Sequence, residues 1–342
     1  MIRLADSVVK LTVAASAALS LFQSVVTQGY EPQPMIRVGF MGLDSSHCIA
    51  FTELIHRADG PPEFAGLRIV AAFPGGSQDF PLSRDRVQDY TEKMRKMGVE
   101  IVDSIDALLE KVDVMILGSV DGRQHLEQVE PIFRAGKPVF LDKPLAHNLA
   151  DALKIQALGQ KYGTPWFSAS ALRYQKELQA LIQSDVLGEV VGCDSYGQSR
   201  AGVGHSDLAW YGVHGIETLY TVMGPGCISV TRLQTERSEQ VTGLWDNGRI
   251  GTYRGIREHS HQTGFGAMIF GTQSQQHISL PADYEGLVIE IAKFFRTRQP
   301  PIDEDTTIEI FAFIEAADTS KRLGGVPVTL KSAIEAARDG TK

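Results

Sequence analysis

The chain has 342 residues, of which 43% are hydrophobic and 22% are charged, and its formal net charge is -8. This length is too great for one hydrophobic core and predicts two domains of roughly 150 residues each. The acidic balance and the lack of a run of Lys and Arg argue against a nucleic-acid-binding surface. Cysteines at positions 48, 193 and 227 are too far apart for a disulfide framework or a zinc site, so a reducing compartment is the default.

Residues 1–34 stand apart from the rest of the chain. Leu11–Phe22 is an apolar, alanine-rich run behind Arg3 and Lys10, about as long as a signal-peptide core and too short to span a bilayer. Asp6 and the lack of a well-placed cleavage site argue against export. Three interpretations stay open: an export signal, a non-core extension or upstream start, and a structural helix. We expect a cytoplasmic protein without a stable membrane anchor, or a periplasmic or secreted one if this segment is a signal peptide.

From Met35 the sequence predicts a strand, a glycine turn and a helix. Ile36–Met41 is a short apolar run, and residues 42–47 read GLDSSH before a helical pattern begins. This arrangement holds phosphates, because the turn lets the backbone approach and the helix N-terminus offers free N–H groups. Aligned on GxGxxG, Asp44 stands at the second glycine, where a carboxylate repels a pyrophosphate, and His47 stands at the third. The cofactor-binding candidates here are Gly42, Asp44, Ser45, Ser46 and His47.

Strands and helices alternate as far as residue 170. The alternation predicts a parallel, doubly wound sheet with right-handed crossovers, and therefore an α/β dinucleotide-binding Rossmann domain over residues 35–170. No acid follows the second strand, Leu67–Phe73, where an NAD site usually offers one to the ribose. Arg84 and Arg86 would suit a 2′-phosphate, although both are equally typical of a helix surface. NAD and NADP both stay open as cofactors.

The stretch Lys137–Leu145 reads KPVFLDKPL. Val139–Leu141 is a short buried strand, and Asp142, Lys143 and Pro144 follow at its carboxyl end, where ligands and reactive groups collect in an open α/β sheet. Taken alone, the pattern is more typical of a surface turn with an ordinary ion pair than of a catalytic lysine. Its interpretation therefore depends on the rest of the chain.

After residue 170 the pattern changes to α+β. Residues 227–280 are rich in Thr, Val and Gly with polar alternation, which predicts several antiparallel strands. The other predicted elements are helices over 174–184, 211–223, 284–296 and 307–323 and strands over 188–198 and 326–330. We expect residues 171–342 to form a substrate and oligomerisation domain with a large, mostly antiparallel sheet.

The order of these landmarks resembles the glucose–fructose oxidoreductase/inositol dehydrogenase family, often called Gfo/Idh/MocA. The segments that carry the resemblance are VGFMGLDSSH at 38–47, His125 with AGKPVFLDKPLA at 135–146, ALRYQKELQALIQSDVLGEV at 171–190, YGVHGIETLYTVMG at 211–224 and DEDTTIEIFAFIEAADTSKRLGGVPVTL at 303–330. The resemblance implies a Rossmann domain, then an α/β domain whose sheet often builds an oligomer interface. It also implies hydride exchange between NAD or NADP and a secondary alcohol of a sugar or cyclitol.

The resemblance assigns two catalytic residues. Lys143 matches the lysine of the family's Glu-Lys-Pro motif, with Asp142 in place of the glutamate, and is implied to touch the substrate oxygen and the nicotinamide region. His214 matches the histidine of an Asp-x-x-x-His pattern, a suitable acid or base because its unperturbed pKa lies near neutrality. Trp210 stands where the acid of that pattern is expected, so His214 lacks the partner that would orient it.

The remaining predicted site residues fall into two groups. The further cofactor-binding candidates are Ser119, Asp121, His125, Asp142 and Lys143, and the substrate candidates are Arg173, Tyr174, His205, Asp207, Trp210 and Tyr211. No metal is expected. The expected partners are a small-molecule carbohydrate or cyclitol and further copies of the chain in a dimer or tetramer. Two alternatives stay open: a glycoside hydrolase that uses NAD on the same fold, and a non-catalytic ligand-binding Rossmann protein.

Overall fold

The computed structural model describes residues 34–200, 204–206, 208–257 and 264–340. The expectations for residues 1–34 therefore fall, apart from Pro34, outside the described residues. In the described ranges, no helix has both the length and the apolar character needed to cross a bilayer. The cytoplasmic location, with export as its alternative, stays a prediction.

The first sheet is the predicted Rossmann sheet. Its strands are Ile36–Met41 (β1), Leu67–Phe73 (β2), Glu100–Ile101 (β3), Val114–Leu117 (β4), Val139–Leu141 (β5) and Trp166–Ser168 (β6). They are parallel and lie in the order β3-β2-β1-β4-β5-β6. The strand order reverses between β1 and β4, so the crevice at their carboxyl ends is the topological switch point where such sheets bind ligands.

Five helices connect these strands. They are His47–His56 (α1), Pro81–Lys96 (α2), Ile105–Lys111 (α3), His125–Arg134 (α4) and Leu149–Tyr162 (α5). Strands β4 and β5 are buried along their whole length, as expected for a parallel sheet with helices on both faces. Side-chain caps fix two helix starts: Ser104 accepts from the N–H of Ala107, and Asn148 accepts from the N–H of Asp151.

The second sheet is mostly antiparallel, as predicted. Its strands are Val190–Gln198 (β7), Cys227–Gln234 (β8), Ser238–Trp245 (β9), Ile250–Ile256 (β10), Phe265–Gly271 (β11), Gln275–Leu280 (β12) and Val328–Thr329 (β13). They lie in the order β12-β11-β7-β10-β9-β8-β13. Strands β7 and β10 are parallel, which is possible because the long connection between them, including β8 and β9, lets β10 enter in the same direction.

The helices of the second half include one that sequence reasoning missed. They are Lys176–Ile182 (α6), Val213–Met223 (α7, which continues a π-helical turn at Leu208–Gly212), Glu285–Thr297 (α8), Glu304–Arg322 (α9) and Leu330–Asp339 (α10). Helices α7 and α9 pack on the inner face of the second sheet. The predicted terminal strand over 326–330 is shorter than expected, because Thr329 caps α10 by accepting from the N–H of Ser332.

Helix α8 returns from the second half of the chain to the first sheet. Its buried side chains, including Leu287 and Phe294, belong to one hydrophobic cluster with Phe40 of β1 and Phe51 of α1. Residues 35–342 accordingly form one compact unit. The division into two domains at residue 170 stays a prediction.

The turn after β1 lies directly against the turn after β4. Gly42 has φ +88°, and a Cβ at this position would lie 2.3 Å from the backbone nitrogen of Ser119. Only glycine combines this backbone conformation with this approach. The two turns that form the crevice are therefore held together at Gly42.

We expect Gly42→Ala to destabilise the protein more than Gly136→Ala. Gly136 also has a positive φ, of +65°, but a Cβ there would meet nothing within 4 Å. The control therefore measures only the cost of a positive φ at a residue with a Cβ, about 1–2 kcal/mol of unfolding free energy. In Gly42→Ala a steric clash adds about 1–3 kcal/mol. Urea denaturation of both variants measures the difference, and equal losses of unfolding free energy would show that the contact with Ser119 is unimportant.

Candidate active site

A cavity of about 770 Å³ opens at the carboxyl ends of β1, β4 and β5 and reaches residues that follow β7 and β10. The predicted site residues that line it are Ser45, Ser46, His47, Asp142, Lys143, Trp210, Tyr211 and His214. The structure thus brings both predicted catalytic residues into one cavity with the N-terminus of α1. Their roles stay predictions.

Lys143 enters the cavity from the end of β5. The peptide bond between Lys143 and Pro144 is cis. The Lys143 Nζ lies 5.5 Å from the centroid of the Tyr211 ring, and no carboxylate of the described residues lies within ion-pair distance of it. Burial lowers the pKa of Lys143, while the charge of Asp142 opposes that shift. The site therefore holds an ammonium whose charge is incompletely compensated.

Asp142 binds His47 rather than the Lys143 ammonium. Its Oδ2 contacts Nδ1 of His47, and its Oδ1 accepts from the backbone N–H of Lys143 at 2.8 Å. Burial opposes ionisation of Asp142, but the interactions with His47 and Lys143 outweigh burial and hold the pKa of Asp142 below its ordinary range. His47 also contacts the rings of Phe51 and Tyr284. A carboxylate–imidazole pair thus links the turn after β1 to the turn after β5.

His214 is oriented by a hydroxyl instead of an acid. Its Nδ1 lies 2.7 Å from Oγ of Ser170, and no described residue hydrogen-bonds its Nε2. Burial lowers the pKa of His214 well below its ordinary value, and the positive charges of Lys143 and His47 lower it further. The His214 ring is therefore neutral near pH 7. Trp210, which occupies the position of the missing acid, packs against His205 and Phe80.

Asp44, predicted as a cofactor-binding residue, is not among the residues that line the cavity. Its carboxylate accepts from Oγ of Ser83 at 2.6 Å and from the N–H of Val120 at 2.9 Å. Burial raises its pKa although both hydrogen bonds favour the ionised form. Asp44 therefore ties the turn after β1 to α2 and to the turn after β4, and it leaves the helix N-terminus clear.

The N-terminus of α1 fits the phosphates of a dinucleotide. Ser45 is 8% exposed, and its Oγ is buried in the cavity wall without a hydrogen-bond partner. Ser46 caps α1 without a side-chain hydrogen bond to the helix, so first-turn N–H groups remain for a ligand. Arg86 lines the same cavity from α2 and forms no ion pair with a described residue. An orphaned hydroxyl, a helix N-terminus and an arginine together suit an anionic group.

Four other predicted cofactor residues form the frame behind the cavity. Gly42 contacts Ser119, whose Oγ donates to Gln128. Asp121 is bound by Arg123 and by Oγ of Ser77. The buried ring of His125 lies between the carbonyl oxygens of Ser119 and Leu145, at 2.8 and 3.0 Å. None of the four lines the cavity, because internal hydrogen bonds and packing occupy them.

Three predicted substrate residues do not reach the cavity wall, and a fourth lies outside the described residues. The guanidinium of Arg173 pairs with Glu217 at 2.7 Å, and the hydroxyl of Tyr174 is buried without a partner. His205 accepts from the N–H of Gly122 at 3.1 Å, so it braces the turn after β4. Asp207 is the residue that the structure does not describe.

Sequence reasoning missed several cavity residues from distant segments. They include Ser170, Arg200, Arg257, Phe265 and Tyr284. Most follow a strand or begin a helix without a motif that would mark them. Ser170 was detectable in principle, because it lies two residues beyond the end of β6, at the same edge of the sheet as Lys143. Among the described residues, no cluster of three or more His, Cys, Asp or Glu is arranged to hold a metal.

Comparison with known proteins agrees with this geometry. Residues 82–169 match the model of an oxidoreductase family with an NAD-binding Rossmann fold, GFO_IDH_MocA. The matched segment contains Lys143 and the frame residues after β4, which confirms the resemblance found in the sequence.

One curated relative and several solved structures are similar to this chain. An inositol 2-dehydrogenase from Gluconacetobacter diazotrophicus is 32% identical over 96 residues, which are 27% of this chain and only 28% of that relative. A probable dehydrogenase from Thermotoga maritima has a TM-score of 0.72 and 17% identity, covering 87% of this chain and 100% of its own. Scyllo-inositol dehydrogenase from Lactobacillus casei, solved with NAD(H) and scyllo-inositol, has a TM-score of 0.70 and 14% identity, covering 87% and 99%. At these identities the structures establish the fold alone.

The environment of His214 makes its titration a direct test of the site. We expect its ring to take up a proton only well below pH 6.5. Lys143→Met should raise the pKa of His214, because it removes a positive charge that disfavours the imidazolium. Ring NMR signals, assigned with His214→Gln, measure both values.

The matched control for that titration is Lys154→Met, which removes an exposed lysine paired with Asp151 and should leave the pKa of His214 unchanged. A ring that titrates at or above pH 6.5, or a midpoint indifferent to Lys143→Met, would contradict the described electrostatics.

Proposed function

We propose that this protein is an NAD(P)-dependent oxidoreductase that exchanges a hydride between the nicotinamide and a secondary alcohol of a sugar or cyclitol. One observation carries the proposal: a single cavity joins a helix N-terminus with an unpartnered hydroxyl to a lysine and a histidine suited to alcohol chemistry. The similarity to an inositol 2-dehydrogenase and the family's NAD-binding description support it. The glycoside hydrolase and the non-catalytic alternative gain no support from these similarities.

The cofactor would be held at the start of α1. Ser45 supplies the orphaned hydroxyl, Ser46 and His47 supply the first-turn backbone, and Arg86 supplies a cation that suits either a pyrophosphate or a 2′-phosphate. When bound, the nicotinamide supplies the acceptor or donor of the hydride. Neither NAD nor NADP is favoured, because β2 ends without the acid that would bind a ribose hydroxyl.

In this proposal Lys143 interacts with the alcohol oxygen, and His214 accepts the alcohol proton. An ammonium without a carboxylate partner stabilises the negative charge that develops on the alcohol oxygen, and its effect is large in a buried site. His214 accepts the proton at Nε2, which requires Nδ1 to carry hydrogen and donate to Oγ of Ser170. The low pKa of His214 keeps the ring in the accepting, neutral form at neutral pH. The His47–Asp142 pair fixes the backbone from which Lys143 extends.

We expect Lys143→Met and His214→Ala each to lower kcat on a turned-over alcohol by about 10²–10⁴-fold. The loss should fall on kcat more than on KM, because both side chains act on charge that develops during the reaction. Steady-state kinetics with NAD and NADP over a panel of sugars and cyclitols provide the measurement.

Two exposed substitutions serve as controls for these kinetics. Lys154→Met and His277→Gln remove the same side-chain types away from the cavity, where Lys154 pairs with Asp151 and His277 with Tyr196. Wild-type turnover in both Lys143→Met and His214→Ala would refute the assignment of these residues.

The outer face of the second sheet supports a homo-oligomer. Leu244 and Ile250 are direct cross-strand partners, 40% and 54% exposed, and Leu233 on β8 is 69% exposed. Such side chains on an open sheet favour a second copy of the chain as the partner.

We expect the wild-type protein to sediment as a dimer or tetramer at micromolar concentration. The double substitution of Leu244 and Ile250 by lysine should shift it toward the monomer, because the charges would be buried at the interface without partners. Sedimentation velocity measures both, and a wild-type monomer would contradict the proposed assembly.

A further inference from the structure

Cationic side chains outnumber acidic ones among the described residues that line the cavity. The cationic ones are Arg86, Lys143, Arg200 and Arg257, and the acidic ones are Asp142 and Glu236. The chain as a whole has a net charge of -8. Asp142 is engaged by His47, and Glu236 is exposed to solvent. A cleft lined mainly by one sign of charge concentrates ligands of the other sign.

Two of these arginines come together because β7 and β10 are parallel. Gln198 is in register with Ile256 at the carboxyl ends of the two strands, and the N–H of Ser199 donates to the carbonyl of Ile256 at 2.9 Å. Arg257 follows the end of β10 directly, Arg200 lies two residues beyond the end of β7, and both line the cavity. The second sheet therefore presents two guanidinium groups to the cavity.

Arg200 is oriented by an aromatic ring and not by a carboxylate of the described residues. Its Cζ lies 5.1 Å from the centroid of the Tyr211 ring, the same ring that the Lys143 Nζ approaches to 5.5 Å. Its Nε is buried without a hydrogen-bond partner, and no carboxylate of the described residues pairs with it. A buried donor of this kind calls for a partner, and Tyr211 places Arg200 beside the reacting end of the site.

Arg257 adds positive charge to the same side of the cavity. Its Nη1 lies 3.7 Å from Oε1 of Glu239. That carboxylate is also bound by Arg232 and by Oγ of Ser199. Glu239 is thus shared among Arg257, Arg232 and Ser199.

We propose that the alcohol substrate carries an anionic group, a carboxylate or a phosphate ester, which Arg200 binds while the alcohol lies at Lys143. The inference rests on the proposed function, because it takes Lys143 as the reacting end. The planar fork of a guanidinium matches both kinds of anion. Arg86 lies on α2 beside the start of α1 and belongs to the cofactor end. Sugar acids or sugar phosphates are therefore preferred to their neutral parents.

The test compares glucose with glucuronate and glucose 6-phosphate, and inositol with inositol phosphate. Calorimetry on the full chain, with and without NADH, measures binding, and kcat/KM measures turnover. One anionic class should bind about 10–100-fold more tightly than its neutral parent, and the two anionic arms tell carboxylate from phosphate. Arg200→Gln should abolish this preference, whereas Arg200→Lys should keep part of it because the charge remains but the fork is lost.

The control is Arg254→Gln, which removes a guanidinium that hydrogen-bonds Gln240 on the outer face of the second sheet. This control should leave the preference for anionic ligands unchanged. Unaltered thermal melting of Arg200→Gln would show that the Arg200→Gln variant is folded. Equal binding of neutral and anionic ligands, or an equal loss for both in Arg200→Gln, overturns the inference. If no nicotinamide binds and no alcohol is oxidised, the proposed function fails, while the calorimetric preference still decides the anion subsite.

Discussion

The close contact between the turn after β1 and the turn after β4 is the constraint on which the site depends. Gly42 permits the approach to Ser119, and Asp44 fixes it by accepting from the N–H of Val120 and from Ser83. His125 then links the carbonyl of Ser119 to that of Leu145, beyond Lys143. The frame is internally hydrogen-bonded, so the α1 N-terminus and the Lys143 ammonium are left facing the cavity. Asp44, which departs from the glycine fingerprint, thus stabilises the fold and leaves the proposed phosphate site unobstructed.

Electrostatics divides the charged groups of the cavity into compensated and uncompensated ones. His47 pairs with Asp142 in the cavity lining, and outside that lining Arg173 pairs with Glu217. Lys143 and Arg200 share the Tyr211 ring and have no carboxylate partner among the described residues. Burial and the nearby positive charge together keep His214 neutral, and the positive charge favours a negative ligand or transition state. The charge of Lys143 and Arg200 is therefore the feature on which the proposed anionic substrate rests.

The local sequence pattern predicted the Rossmann sheet, because each strand is a short apolar run that ends at a turn. The position of Lys143 at the end of β5 followed from that prediction. Contacts between distant segments could not be predicted in the same way. His47 and Asp142 are 95 residues apart, and Arg200 reaches the site only because β7 pairs with β10. Arg173 was expected at the substrate, but Glu217, one turn beyond His214, takes its guanidinium. Helix α10 was missed because the short apolar run before it suggested a terminal strand.

Calorimetric titration of NADH and NADPH into the wild-type protein and into Ser45→Asp tests the central claim most directly. Ser45 Oγ is the buried, unpartnered atom at the start of α1, and a carboxylate there would repel the phosphates of a dinucleotide. Wild-type protein should bind at least one of the two nucleotides, and the folded Ser45→Asp variant should bind it at least about tenfold more weakly. Absence of nucleotide binding by the wild type, or equal affinity in the variant, would contradict a cofactor site at the N-terminus of α1.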